Sequence, residues 1–174
     1  MSGSSDPDRS ISRRYRHAPE GYDCPFCRLV RDEHTSAGTG PADIVLADEW
    51  VTAFLSLHWR ATNPGHVLVV PNAHHENLYE MPDEFGAPLL GAMRRVALAM
   101  KVAYGCDGVS IAQNNEPDGN QDVWHYHVHV FPRYAGDDLF RSRFRLTTAT
   151  ERAPYAEKLR AALADDNLQG ARQS

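Results

Sequence analysis

One seven-residue segment constrains the fold of this 174-residue chain more than any other. In His125–Phe131, three histidines occupy alternate positions, with Tyr or Val between them. In a β-strand successive side chains point to opposite faces, and residues two apart lie roughly 6.5 Å from each other. The segment therefore predicts a strand that is apolar on one face and carries three imidazoles on the other. Buried imidazoles are unfavourable unless each has a partner or a chemical task, which indicates a functional site.

Two simpler interpretations of this segment are an exposed, histidine-rich edge strand and a pure metal cluster. The apolar second face argues against an exposed edge, because it predicts a strand that packs in the core. The loop before the histidines is rich in small polar residues, which suits contact with an anion. We therefore expect a core strand beside an anion site.

The composition excludes several classes of protein. The length and the 42% hydrophobic content suffice for one domain with a core, and the net charge of -5 gives no positive field for nucleic acid. The longest apolar runs, such as Val67–Val70, are too short to span a bilayer. The first residues carry no apolar signal segment, so we expect a cytoplasmic location. Three cysteines exclude a scaffold of several disulfides.

The chain is expected to comprise three segments. Residues 1–20 are rich in Ser, Asp, Arg and Pro without periodic apolar positions, which predicts a flexible leader. Residues 21–150 form the ordered domain, and residues 151–174 form a C-terminal helix with a frayed tail. Between Pro82 and Gly105 apolar residues recur at three- and four-residue steps, which predicts one long amphipathic helix.

Short apolar stretches between turn residues predict the strands. Runs of strands with one long helix favour the α+β class, with a largely antiparallel sheet of about five strands. The predicted strands lie on either side of Asp48 between Ile44 and Leu57, and at His66–Pro71, Val109–Ala112 and Val123–Phe131.

The alternating segment resembles the signature of the histidine triad superfamily, in which apolar residues separate three histidines. Further motifs of the family occur in the same order at Cys24–Cys27, Pro64–Pro71 and Asn115–Glu116. The resemblance covers roughly residues 22–134 and points to the zinc-containing, Cys-x-x-Cys branch of bacterial type. It implies an antiparallel sheet with one long helix and shorter N- and C-terminal helices. It also implies assembly as a two-fold homodimer.

The resemblance implies a nucleotide site. Such proteins cleave a bond at the α-phosphorus of a nucleotide through a covalent nucleotidyl-histidine, and by resemblance His127 is the nucleophile. His129 and His66 would hold the phosphate or orient the nucleophile. A neutral imidazole is a competent nucleophile near pH 7, and its phosphoramidate is labile to water. Donors must meet the charge on the phosphoryl oxygens, and the candidates are Asn115, Gln121 and the backbone around Gly119.

A second group of residues has the spacing of half a tetrahedral zinc site. Cys24 and Cys27 are separated by two residues. In the zinc-containing branches of the family, the other two ligands correspond here to His74 and His125. The zinc would be structural and would leave the middle histidine free for attack. His75 is the adjacent competitor of His74 and is expected at the surface; a reduced cysteine pair without metal is the alternative.

Two departures from the family pattern affect the expected substrate site. Asp122 occupies a position where many relatives carry Ser or Thr, whose hydroxyl donates to phosphate. An ionised carboxylate cannot donate and repels a phosphate oxygen, so Asp122 either points away or recruits a cationic group, such as an amine leaving group or a divalent ion. His58 and Trp59 lie near the position of the usual ribose-binding residue. Trp59 stacks on a base or belongs to the core.

These features predict a purine-nucleotide hydrolase or transferase. Its substrate is a nucleoside phosphoramidate or a dinucleoside polyphosphate, so its partner is a small-molecule nucleotide, with no nucleic-acid polymer and no membrane. Two other functions stay open: a nucleotide-binding interaction protein without activity, and nucleotidyl transfer to an acceptor other than water. The middle histidine argues against the first of these, because a binding protein needs no nucleophile.

Overall fold

The computed structural model of the protein describes residues 14–33 and 38–165. The helices are α1 (Pro25–Val30), α2 (Gly86–Tyr104) and α3 (Ala149–Leu163). The strands are β1 (Ile44–Ala47), β2 (Val51–Leu55), β3 (His58–Arg60), β4 (Val67–Pro71), β5 (Gly108–Gln113), β6 (Val128–Arg133) and β7 (Phe144–Leu146). Single-turn 3-10 helices lie at Pro41–Asp43, Leu78–Glu80, Asp83–Phe85 and Pro117–Gly119.

Five of the strands form one antiparallel sheet in the order β1-β2-β4-β6-β5. The helices α2 and α3 pack on one face of this sheet, and α1 packs on the other. These features confirm the predicted α+β class, with its five-stranded sheet, one long helix and shorter helices near both ends. Strands β3 and β7 pair separately as a two-stranded antiparallel ribbon. The sequence does not predict this ribbon, because β7 has only three residues and all are exposed.

Alternation along the central strands separates the two sides of the sheet. In β4, Val67 and Val69 pack in the core with α2, whereas Leu68 and Val70 pack with α1. In β6, His129 is the cross-strand partner of Leu68 and therefore faces the α1 side. The apolar face predicted for the histidine strand is thus the face that packs on the long helix.

The strand that carries the histidines begins later than predicted. A strand was expected over Val123–Phe131, but β6 begins three residues after His125. The N–H of His125 donates to the carbonyl of Val123, and the N–H of Tyr126 donates to the carbonyl of His75. These bonds bend the chain toward the loop after β4 instead of continuing the sheet. The first two histidines therefore lie in a bent segment that leads into the strand.

A glycine determines how the chain enters β4. Gly65 has φ +92°, and a Cβ atom at this position would lie 2.6 Å from Cε2 of Tyr104. Only glycine meets both the positive φ and the close approach of the tyrosine ring. The turn places His66 at the start of β4, on the α1 side of the sheet.

A buried ion pair fixes α3 to the turn before β1. The side chain of Arg152 is fully buried, and its Nε donates to Oδ1 of Asp43 at 2.7 Å while its Nη2 donates to Oδ2 at 3.0 Å. The remaining guanidinium donors reach the carbonyl oxygens of Thr147 and Gly38. All three guanidinium nitrogens of Arg152 therefore have hydrogen-bond acceptors inside the protein.

The two chain ends are described only in part. Residues 1–13 and 166–174 lie outside the described residues. The first range contains most of the predicted leader, and the second contains the predicted frayed tail. In the described part of the leader, the Arg16 guanidinium pairs with Glu80. The limits of the three predicted segments stay a prediction. Among the described residues, no helix has the length and hydropathy needed to cross a membrane.

Candidate active site

A cavity of about 390 Å³ lies between α1, the histidine face of the main sheet and the β3–β7 ribbon. Most of its wall is apolar and comes from α1, β2 and β4. Its polar lining consists of Thr39, Ser56, His58, His66, Asp122, His127 and His129. The structure therefore brings together the three residues predicted to act in catalysis, and it adds Asp122 and His58 from the predicted substrate site.

His127 is held with one ring nitrogen toward this cavity. A carbonyl oxygen can only accept, so the 2.8 Å contact between its Nδ1 and the His125 carbonyl places the ring proton on Nδ1. The lone pair is then on Nε2, which lies 3.9 Å from Oδ1 of Asp122. Burial lowers the pKa of His127, against the opposing effects of the His125 carbonyl and the Asp122 charge. The ring is a neutral imidazole whose unprotonated Nε2 faces the cavity.

His66 and His129 form a hydrogen-bonded pair beside His127. His66 Nδ1 donates to the backbone carbonyl of His58 at 2.9 Å, so its Nε2 accepts from Nδ1 of His129 at 3.0 Å. Burial lowers the pKa of His66 to about 3 and that of His129 to about 2. Both rings are neutral near pH 7, and Nε2 of His129 keeps a lone pair.

Asp122 faces the unprotonated nitrogen of His127. Its side chain is 75% exposed, yet its Oδ1 lies 3.9 Å from Nε2 of His127. Of the two orientations considered from the sequence, the one that points away is therefore wrong. Among the described residues that line the cavity, no other is an Asp, Glu, Lys or Arg.

The loop before the histidines does not bring its expected donors to the cavity. Asn115, Gly119 and Gln121 are not among the described residues that line it. Oδ1 of Asn115 accepts from the N–H of Leu78 at 2.8 Å, and Nε2 of the buried Gln121 donates to the carbonyl of Glu76 at 2.6 Å. In this structure the two side-chain amides bind the loop to the segment that contains Glu76 and Leu78. Gly119 is exposed.

The two candidates on β3 have different surroundings. His58 is exposed and lines the cavity. Trp59 is 1% exposed and packs edge-on against Tyr155, with ring centroids 4.8 Å apart. Successive residues of a strand point to opposite faces, so the two side chains cannot both reach the cavity. Of the two alternatives for Trp59, the structure shows the core position, because this side chain is buried between the ribbon and α3.

Three aromatic residues of the cavity are not identifiable from the sequence pattern. Phe26 contacts the ring of His127 edge-on at 5.4 Å between centroids, and Phe54 packs on Phe26 at 5.2 Å. Phe26 lies between the two cysteines of the metal motif, so the motif is a signal for its position beside the histidines. Phe144 also lines the cavity and comes from β7, which the sequence does not predict.

The four predicted metal ligands converge beside the cavity. Their sulfur and ring nitrogen atoms lie within 4.8 Å of one another. Sγ of Cys24 lies 3.3 Å from Nδ1 of His125, and Sγ of Cys27 lies 3.2 Å from Nδ1 of His74. A tetrahedral zinc ion with ordinary bond lengths separates its sulfur and nitrogen ligands by about 3.5 Å. The cluster therefore fits zinc both in size and in the chemistry of its donors.

The protonation of these ligands also suits a metal. Nε2 of His125 donates to the carbonyl of Pro71 at 2.9 Å, which leaves the lone pair on Nδ1, facing the thiols. The neighbouring Cys27 thiol, helped by His125 and His74, lowers the pKa of Cys24. The Cys24 side chain in turn raises the pKa of Cys27. A thiolate is the form of cysteine that binds metal.

His75 lies outside this cluster. Its ring packs edge-on against Phe85 with centroids 5.1 Å apart, and burial lowers its pKa. The expectation that His75 is a surface residue is wrong, because its side chain is half-buried and its carbonyl holds the bend before β6.

Comparison with known proteins agrees with this geometry. A family model described as the HIT domain matches residues 37–136, more than half of the chain. The chain belongs to the histidine triad (HIT) family. A Zn-bound HIT protein of known structure, from Mycobacterium smegmatis, superimposes with a TM-score of 0.69 at 30% identity, over 86% of this chain and 98% of that one.

Relatives of this HIT chain include proteins with and without a known activity. An uncharacterized HIT-like protein of Methanocaldococcus jannaschii is 39% identical over 114 residues, which are 66% of this chain and 81% of that protein. An adenosine 5′-monophosphoramidase of Saccharomyces cerevisiae is 31% identical over 110 residues, 63% of this chain and 62% of that enzyme. The family resemblance inferred from the motifs is therefore confirmed.

Proposed function

We propose that this HIT protein is a purine-nucleotide hydrolase or transferase that cleaves its substrate at the α-phosphorus, with His127 as the nucleophile. The orientation of His127 carries the proposal: its ring proton is bound to a backbone carbonyl, and its Nε2 lone pair faces the cavity. The similarity to the yeast adenosine 5′-monophosphoramidase supports the same class of reaction.

The first step forms a covalent intermediate. The Nε2 lone pair of His127 attacks the α-phosphorus, and the leaving group departs with the electrons of its bond to phosphorus. The ring then carries a positive charge, with one nitrogen bound to phosphorus and the other to hydrogen. The hydrogen bond from Nδ1 to the His125 carbonyl stabilises this charge. Attack by water, or by another acceptor, releases the nucleotide and restores the neutral ring.

The His66–His129 pair has a different task from the nucleophile. In the tautomers fixed by the hydrogen bonds, Nε2 of His129 accepts hydrogen bonds, whereas a phosphate oxygen needs donors. We therefore assign His129 to the orientation of the attacking water, with His66 as its support. A role in holding phosphate would require His129 to take up a proton first.

The apolar wall of the cavity suits a nucleobase. Phe26 and Phe54 present aromatic surface next to the nucleophile, and Leu29 adds aliphatic surface from α1. A purine buries a large flat apolar area, which such a wall accommodates. We therefore propose that the base binds on the α1 side of the cavity and the phosphate at the histidines.

We also propose that Cys24, Cys27, His74 and His125 hold a zinc ion. The donor set of two sulfurs and two nitrogens, its compact geometry and the hydrogen bond from His125 to Pro71 support this assignment. With four protein ligands, the ion would have a structural task, tying the first helix to the loop after β4 and to the bent segment before β6. His127 does not belong to the cluster and keeps its lone pair for chemistry.

Replacement of His127 by Asn tests the proposed nucleophile. The amide can still donate to the His125 carbonyl but has no nucleophilic nitrogen, so turnover of adenosine 5′-phosphoramidate should fall by about a thousandfold or more. Binding of AMP, measured by calorimetry, should change only a few-fold. Mass spectrometry of the wild-type protein, quenched during turnover, should find a nucleotidyl adduct on the peptide that contains His127.

The matched control is His17→Asn, since His17 lies away from the cavity and pairs with Glu116. Its turnover should equal that of the wild type. Turnover that persists in His127→Asn would exclude His127 as the nucleophile, and a wild-type protein that binds AMP but cleaves no substrate would favour the interaction protein.

A homodimer is the third part of the proposal. Strand β5 is an edge of the main sheet, and its Ile111 is half-exposed. The long helix also exposes Leu90 and Val102. An open edge with apolar side chains favours pairing with a second copy. Sedimentation should give twice the mass of one chain, and Ile111→Glu should shift the protein toward the monomer; a wild type that sediments as a monomer would reject the dimer.

A further inference from the structure

We propose that Asp122 selects substrates whose leaving group becomes an amine, and that it disfavours leaving groups that depart as polyphosphates. The inference rests on the proposed function and names the substrate class of the same site. Its basis is the position of the carboxylate, whose Oδ1 lies 3.9 Å from the atom that attacks phosphorus, Nε2 of His127. Any phosphoryl group that reacts there lies next to this charge.

Asp122 supplies the fixed charge of the cavity. The other described polar residues of the lining are hydroxyl-bearing or imidazole side chains, and His66 and His129 are neutral near pH 7. Asp122 is also the charged side chain that acts most strongly on His127. A site that relied on binding several phosphates would need the opposite sign of charge at this place.

Among the described residues, the cation Arg60 lies near the cavity. Arg60 acts electrostatically on His66 and His129, but its guanidinium donates to the Ser142 carbonyl and stacks 3.7 Å from the centroid of the Phe144 ring. These contacts keep it on the ribbon, whereas Asp122 contacts the nucleophile. The local balance at the reacting atoms is therefore negative.

The charge that develops on the leaving group decides the effect of Asp122. In a phosphoramidate, a proton from water first binds the leaving nitrogen, which then carries a positive charge, and the hydroxide that remains later attacks the nucleotidyl-histidine. The Nε2–phosphorus bond forms as the phosphorus–nitrogen bond breaks, and the bonding pair stays on the leaving nitrogen. It departs as a neutral amine and binds a second proton to become an ammonium ion. A nearby carboxylate stabilises the positive charge that the protonated nitrogen carries while its bond to phosphorus breaks.

A dinucleoside polyphosphate behaves in the opposite way. When its phosphorus–oxygen bond breaks, the bonding pair goes to an oxygen that already belongs to an anionic phosphate chain. Negative charge then grows close to Asp122, which raises the energy of the transition state. The same carboxylate thus favours one leaving group and opposes the other.

Asp122→Asn and Asp122→Ser measure this selectivity. The first keeps the shape without the charge, and the second introduces the hydroxyl that many relatives carry. The substrates are AMP joined through nitrogen to butylamine and diadenosine triphosphate. The ratio of kcat/KM for the amide to kcat/KM for the triphosphate should fall about tenfold in both variants, by a lower rate on the amide and a higher rate on the triphosphate.

Asp118→Asn is the matched control, because it removes the same charge from the same loop at an exposed position outside the cavity lining. Its ratio should equal that of the wild type. Since Asp122 is 75% exposed, the effect of its removal should also shrink as salt is raised. An effect of equal size at high salt would contradict an electrostatic origin.

The outcomes separate this inference from the proposed function. If the wild type cleaves both substrates and the ratio is unchanged in Asp122→Asn, the inference fails while the proposed function stands. If it cleaves neither, both fail. If added Mg²⁺ accelerates the triphosphate reaction of the wild type but not of Asp122→Asn, the carboxylate recruits a divalent ion for polyphosphates, which overturns the inference.

Discussion

His125 and His127 lie two residues apart and hold their ring protons on opposite nitrogens. His125 donates from Nε2 to the Pro71 carbonyl, whereas His127 donates from Nδ1 to the carbonyl of His125 itself. The first ring therefore offers Nδ1 to the thiols of Cys24 and Cys27, and the second offers Nε2 to the cavity. Hydrogen bonds to two backbone carbonyls thus fix opposite tautomers in the two histidines, so that each ring presents a different unprotonated nitrogen.

Acid should destabilise the fold through His66 and His129. Their pKa values are about 3 and about 2 in the folded protein, while an unfolded histidine has a pKa of roughly 6.5. Below pH 6.5 the unfolded chain binds protons that the folded chain does not. The free energy of unfolding should therefore fall as the pH falls, by up to about 1.4 kcal/mol per pH unit for each histidine.

Heteronuclear NMR of the imidazole nitrogens checks this directly between pH 7.5 and 5.5. The signals of both rings should stay at the neutral position throughout, while a histidine reference peptide in the same buffer titrates near 6.5. Urea unfolding at the same pH values should give the decrease in stability. A ring of His66 or His129 that titrates together with the peptide would contradict the prediction.

Removal of the metal should destabilise the protein. Structural zinc contributes directly to folding, because its four ligands come together only in the folded chain. We expect one zinc per chain by elemental analysis, and a lower Tm after treatment with a chelator. Cys27→Ser and His74→Asn should bind less zinc and melt earlier.

Cys106→Ala is the matched control for the metal site, since this buried thiol lies in the main core outside the cluster. It should lose some stability through the smaller side chain but keep its full zinc content. Zinc content that stays the same in Cys27→Ser would show that the cluster does not hold the ion.

Loss of Arg152 should destabilise the protein strongly. In Arg152→Met the carboxylate of Asp43 stays buried without its partner, which costs about 3–5 kcal/mol of the free energy of unfolding. A double variant, Arg152→Met with Asp43→Leu, should recover most of this loss, because it leaves no buried charge. Urea denaturation of the three proteins gives the values. A double variant no more stable than the single one would contradict this account.

Substitutions of Trp59 should affect the stability of the fold, whereas substitution of Phe144 should affect the binding of AMP. Trp59 is buried in the core, so Trp59→Ala should cost about 3–5 kcal/mol of stability, while Trp59→Phe should leave the Kd for AMP unchanged. Phe144 is half-exposed at the cavity, so Phe144→Ala should cost little stability and weaken AMP binding several-fold. Weaker AMP binding by Trp59→Phe would restore the stacking role for Trp59.

The parts of the fold that depend on local pattern are predictable from the sequence. The periodicity that defines α2, the apolar runs of β2 and β4 and the alternation in β6 are all properties of adjacent residues. The grouping of Cys24 with His125 depends on the resemblance to a family, because nothing in the local sequence joins two residues so distant. The structure confirms that grouping by bringing all four atoms within 4.8 Å of one another.

Other parts of the site depend on pairing between distant segments. Trp59 turns into the core because His58 and Arg60 pair with Leu146 and Phe144 across the ribbon. A strand of three exposed residues carries no pattern that would reveal this pairing. The tautomers of the histidines are hidden in the same way, since they follow from backbone carbonyls whose positions only the folded chain defines.

The short helix α1 contributes residues to two sites, the cysteine–histidine cluster and the cavity. Cys27 belongs to the cluster of two cysteines and two histidines, while Phe26, the residue before it, packs against the ring of His127 in the cavity wall. An interaction that stabilises the position of this short helix therefore affects both the cluster and the cavity. By thermodynamic reciprocity, if a nucleotide in the cavity raises the affinity of the cluster for zinc, zinc should raise the affinity for the nucleotide by the same factor. If both proposals hold, the zinc-free protein should bind nucleotides more weakly than the zinc-bound protein.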